Sequence, residues 1–156
     1  MKAKLSTLIA FGLLLFGCNT DNEINPEVLT QSQWRNVIED TASGQPYDYV
    51  SSIRFEADGK VYSEVFLRDL ETEDVIGFRE YFTGSFQITN GKIEVAIQEL
   101  YTIQGSDEFY LDKEELSLDD RTTLTREFQL RNKNSELHTV MPPLASSLGI
   151  IYYRVD

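Results

Sequence analysis

Three residue types that often carry chemistry are almost missing from this chain. Its 156 residues include one cysteine, Cys18, one histidine, His138, and one tryptophan, Trp34. A single cysteine excludes a disulfide within the chain. Zinc sites want several His or Cys ligands, so no metal is expected. No Ser-His-acid constellation can be built on His138, which has only Glu136 as a nearby carboxylate in the sequence. Basic residues are scarce too: 14 against 26 acidic, a net charge of −12. That field repels nucleic acid and anionic lipid headgroups. No glycine-rich phosphate loop is present. The acidic run Asp69, Glu71, Glu73, Asp74 lacks the glycine and terminal glutamate of a calcium loop and reads as a solvated hairpin tip. Asp119-Asp120 reads as turn chemistry. Nothing here points to an enzyme or a cofactor.

What is present begins with a three-part leader. Met1-Lys2-Ala3-Lys4 is positive, and Leu5 to Phe16 is mostly apolar. About a dozen apolar residues are too few for a membrane span and suit a signal peptide over residues 1–17. Leu15-Phe16-Gly17-Cys18 resembles the lipobox of bacterial lipoproteins. The resemblance implies cleavage before Cys18 and lipid on its sulfur. Each buried methylene then contributes about 0.8 kcal/mol, so two or three acyl chains hold a membrane permanently. Residues 18–28 are the expected lipidated cysteine and tether, polar from Asn19 to Glu27 with Pro26. Asp21 and Glu23 resemble a surface-export signal of some Gram-negative lineages, or are simply polar spacer. Losing Lys2 and Lys4 with the leader leaves 139 residues, with 12 basic against 26 acidic and a net of −14. That is room for one domain, residues 29–156, with a core that needs no disulfide.

Past Val28 short strands alternate with turn signals every eight to twelve residues. Gln33 to Glu39 reads as the first strand. Tyr49 to Leu67 is broken by Ala57-Asp58-Gly59. A type I turn with Gly59 as the left-handed bulge residue sets Phe55 opposite Val61, Ile53 opposite Ser63 and Tyr49 opposite Leu67. Asn90-Gly91 suits a type I′ turn, pairing Ile88 with Ile93, Phe86 with Val95 and Gly84 with Ile97. Gly84 in mid-strand marks a bend where the sheet curls. Phe109–Leu111 and Glu115–Leu118 read as short strands about a turn near Asp112-Lys113-Glu114, and Asp119-Asp120-Arg121 as a further turn. Thr122 to Arg131 alternates, with Leu124, Phe128 and Leu130 on one face and Arg126 breaking it. Asn132 to Ser147, with Pro142-Pro143, reads as a long loop, and Gly149 to Val155 as the closing strand. The fold class expected is all-β: an antiparallel up-and-down barrel of about eight strands, which leaves no edge exposed.

Trp34 in the first strand, Ile53-Arg54-Phe55-Glu56-Ala57-Asp58-Gly59-Lys60, Gly84-Ser85-Phe86-Gln87-Ile88, Asn90-Gly91-Lys92-Ile93 and Tyr152-Tyr153-Arg154 together resemble the lipocalin-like domains of bacterial lipoproteins. The resemblance implies a calycin-like barrel holding a small apolar molecule, with Trp34 structural and packed near Arg154. An inward Arg126 costs several kcal/mol unless paired. It suits a ligand carboxylate, or an internal ion pair with Glu80 or Glu99. Phe55, Phe82, Phe86 and Phe128 are the candidate ligand-lining aromatics. The expected protein is a monomer in the bacterial envelope, lipid-anchored to the outer membrane on its periplasmic or outer face. It binds a small apolar or amphipathic ligand and no nucleic acid. The alternative is an accessory lipoprotein whose solid-packed barrel meets an envelope partner through Asp69 to Gly77 and Asn132 to Ser147.

Overall fold

The computed structural model describes residues 24–39, 44–120, 124–141 and 149–155. Cys18 and its leader, Arg121, Thr122 and Pro142-Pro143 lie outside them. A short helix, α1 (Pro26–Gln31), precedes nine strands: β1 (Gln33–Ile38), β2 (Tyr47–Phe55), β3 (Lys60–Asp69), β4 (Val75–Thr89), β5 (Lys92–Thr102), β6 (Ser117–Leu118), β7 (Leu124–Arg131), β8 (Glu136–Val140) and β9 (Ile151–Val155). Pairing runs β4-β3-β2-β1-β9-β8-β7-β5, and β4 pairs with β5, so eight antiparallel strands close a barrel. The extra strand β6 adds two residues beside the end of β5.

Turn chemistry sets the two hairpin registers. Gly59 has φ +87° and its N–H donates to the Glu56 carbonyl at 3.0 Å. This pairs Phe55 with Val61, Ile53 with Ser63 and Tyr49 with Leu67. Asn90 and Gly91 take φ 52° and 72°, both positive as a type I′ turn requires. The ladder beyond them pairs Ile88 with Ile93, Phe86 with Val95 and Gly84 with Ile97. Period-two alternation then sends Trp34, Ile53, Phe55, Val61, Phe82, Ile93, Phe128, Leu130 and Leu137 inward, all at most 2% exposed. Ile88, near the hairpin tip, stays 39% exposed although its partner Ile93 is buried.

Four stretches differ from the sequence expectation. Pro26–Gln31 is helical where tether and spacer were expected to run through residue 28. Asn25 Oδ1 accepts from the Glu27 and Val28 N–H groups, Pro26 occupies the first turn, and Leu29 is fully buried. Six residues are too few for helical periodicity to show. The expected loop from Asn132 contains β8, which has one large inward residue, Leu137. Its strand character comes from pairing with β7 and β9 on both sides, a non-local cause. The expected strand Phe109–Leu111 is reduced to a single bridge between Leu111 and Phe78. Lys113–Glu115 is a 3-10 turn, which leaves only Ser117–Leu118 extended. The acidic tip closes on itself: Asp69 Oδ1 accepts from the N–H groups of Glu71 and Thr72, both at 2.8 Å.

Candidate functional site

One end of the barrel is packed solid. Phe55 meets Phe86 edge-on at 5.0 Å and Phe128 at 6.2 Å, and Phe128 meets Tyr152 at 6.2 Å. Such tilted rings add about 0.5–1.5 kcal/mol per pair beyond their burial. Trp34 lies beneath them, its indole N–H donating to the Leu29 carbonyl at 3.2 Å, so α1 plugs this end. Trp34 stands directly opposite Arg154 across β1 and β9. Phe55, Phe82 and Phe128 therefore form a packed floor, with Phe86 against it.

Above the floor the interior turns polar. Arg126 pairs across β5 with the buried Val95, so its side chain starts on the inner wall. Its Nη2 donates to Glu80 Oε1 at 2.9 Å, and its guanidinium lies 4.9 Å from the centre of the Phe82 ring. Side-chain exposures of 35% and 28% show that water reaches this pair from the other end. One side-chain hydrogen bond engages a group with five N–H donors, so most of its capacity is uncommitted. The Tyr152 hydroxyl feels the charge of this arginine, and its pKa is pushed up to about 12. Burial is the main cause; Arg126 opposes the rise, while Glu80 and Tyr49 add to it.

Of the two carboxylates expected beside Arg126, Glu80 is the partner, and Glu99 is not. Between Thr83/Glu99 and Gly84/Ile97 the ladder slips, making Gln98 an extra residue on β5. Gln98 and Glu99 are both exposed while Ile97 and Leu100 are buried, so the bulge turns Glu99 outward. A second bulge makes Arg79 an extra residue on β4, between Phe78 and Glu80. Arg79 Nη1 donates to the Phe109 carbonyl at 2.6 Å, and its guanidinium lies 4.2 Å from the Phe109 ring centre and 5.9 Å from that of Tyr49. Residues 103–111 are thereby strapped to the upper part of β4, with Phe78 and Leu111 exchanging two backbone hydrogen bonds. Sequence reading missed Arg79 and Phe109 because bulges and strap contacts leave no periodic signature.

His138 Nε2 lies 2.7 Å from Glu136 Oε2, two residues away on β8. Its strand neighbour Leu137 is fully buried, so the pair sits on the outer wall. Among the described residues no group of three or more His, Cys, Asp or Glu is arranged to hold a metal ion, and no helix is long and apolar enough to cross a membrane. No protein-family model matches this chain, and no curated protein matches it significantly.

Proposed function

We propose that this chain is an envelope lipoprotein, anchored through lipid on Cys18, whose barrel takes a small amphipathic molecule at its polar end. The observation that carries the reading is the Arg126–Glu80 pair, charged, water-reached and stacked on Phe82 above an aromatic floor. A ligand carboxylate can use the free donors of Arg126 while its apolar part lies against Phe82 and Tyr49. Such pairing of an apolar wall with a few convergent polar groups is the usual composition of small-molecule sites. Five residues lie between Cys18 and Ile24, which is buried against the plugged end. They span at most roughly 20 Å, so an anchor there leaves the polar end facing away from the bilayer.

The test uses the full chain, solubilised from a bacterial host. Palmitate labelling is expected to disappear in Cys18→Ser. Mass spectrometry of the extracted native protein is expected to find a co-purified amphiphile, and a fluorescent fatty acid is expected to bind. Arg126→Met with Glu80→Gln removes both charges together and keeps the packing. This double variant should fold and bind at least tenfold more weakly. Unchanged binding by that variant, or no ligand by either method, sinks the proposal.

A second reading, a solid barrel meeting an envelope partner through its loops, is favoured by Ile38, Leu70, Val75 and Phe109. These apolar side chains are half-exposed around the same end. It takes over if the interior proves empty of ligand.

A further inference from the structure

A concave surface lies on the outside of the wall. One groove of about 310 Å³ is bounded by Lys60, Tyr62, Thr83 and Gln98. Another of about 210 Å³ is bounded by Gln87, Glu94, Thr125, Arg126 and Glu127. Both include Ser85, so they join into one trough crossing β3, β4, β5 and β7. Three strand spacings make it roughly 14 Å long.

Its shape follows from register. Lys60, Ser85, Ala96 and Thr125 are successive cross-strand partners, and the last three are too short to fill the surface above them. One bank is the row Gln87, Glu94, Glu127, again in register. The other is Tyr62 and Thr83, with Gln98 thrown outward by the bulge. Bulges recur where a side chain is re-aimed at a binding surface. Tyr62 is 38% exposed and is held by the Arg54 guanidinium, 5.6 Å from its ring centre.

The lining chemistry selects the ligand. Among the described residues, the hydroxyls of Thr83, Ser85 and Thr125 and the amides of Gln87 and Gln98 make no side-chain hydrogen bond to the protein. Each such group both donates and accepts, which matches a ligand whose hydroxyls do the same. The flat Tyr62 ring suits the C–H face of a sugar. Lys60 and Arg126 are each paired with a carboxylate, Asp58 and Glu80, so Glu94, Glu127 and a net charge of −12 disfavour anions. An extended peptide seeks a sheet edge, and the closed barrel offers none here. We infer that this trough is a binding site for a short neutral oligosaccharide on the outer face of the wall.

The experiment is isothermal titration calorimetry on the full chain in a zwitterionic detergent. The probes are a β-1,4-linked N-acetylglucosamine tetramer and maltotetraose, with tetragalacturonate as the anionic comparison. At least one neutral tetramer is expected to bind with Kd near 1 mM or tighter, and tetragalacturonate at least tenfold more weakly. Tyr62→Ala should weaken binding at least tenfold. Ala96→Leu, an outward position that leaves the core untouched, should abolish it without lowering the melting temperature. The inference is overturned if neither neutral tetramer binds, if the anionic tetramer binds as well, or if both variants bind like the parent. A trough that takes only a peptide overturns it too. Fatty-acid binding in the interior is measured on the same samples, so failure of one site is separable from failure of the other.

Discussion

Replacing Gly84 by alanine tests a close backbone approach in the barrel wall. A Cβ at Gly84 meets the Ala96 carbonyl oxygen at 2.3 Å, with the Ala96 carbonyl carbon and Ile97 Cα at 3.2 Å. All three are backbone atoms, so no rotamer change relieves the clash. The oxygen must retreat by about 1 Å to reach ordinary contact, which loosens the β4–β5 ladder beside the Gln98 bulge. Gly84 carries no left-handed φ. Alanine would therefore gain about 0.4–1 kcal/mol by restricting the unfolded chain. Overpacking costs about 1–3 kcal/mol and more where the backbone must yield, so the clash wins. We expect a net loss of about 1–3 kcal/mol, a fall of roughly 3–10 °C in Tm. Trp34 is the only tryptophan and is fully buried, so its fluorescence reports unfolding directly. Gly77→Ala is the matched comparison: its added Cβ meets Tyr110 Cδ2 at 2.3 Å and Cγ at 3.1 Å and the Leu111 carbonyl oxygen at 3.2 Å, all on the strap and not in the barrel ladder. It should cost less than half as much. A Gly84→Ala protein that melts at or above the parent, or a costlier Gly77→Ala, refutes the reasoning.

Two further outcomes follow from single residues. The buried Tyr152 hydroxyl is held neutral up to about pH 12, whereas in the unfolded chain it ionises near pH 10. Its contribution is complete below pH 10 and disappears as pH rises to 12, a loss of roughly 2–3 kcal/mol. Urea titrations across that window should show a steeper decline for the parent than for Tyr152→Phe; equal slopes would discount the burial of this hydroxyl. Gly91 sits at φ 72° in the type I′ turn, where an alanine is strained by about 1–2 kcal/mol. Gly91→Ala should lower the urea midpoint accordingly, and a midpoint at or above the parent's would argue against that turn.

Local chemistry made much of the wall legible. Gly59 and Asn90-Gly91 each admit few backbone conformations, and the turn they choose dictates every pair along the hairpin. The barrel followed from short alternating strands that must leave no edge. The floor aromatics were legible as inward positions, though not as one mutually packed cluster. Hidden from sequence were α1 and β8, one too short for periodicity and the other defined by its neighbours. Arg126 could be singled out and its partner narrowed to Glu80 or Glu99, but not decided between them.

Sequence by itself determined which faces are apolar, where the chain turns, and that one arginine interrupts an inward face. Only the closed structure decided that Glu80 meets Arg126 while Glu99 faces water, and that Ser85, Ala96 and Thr125 line up across three strands. The reason is physical: alternation and turn preference are properties of neighbouring residues. Bulge positions and cross-strand rows are instead set by how distant segments share the hydrogen bonds of one wall.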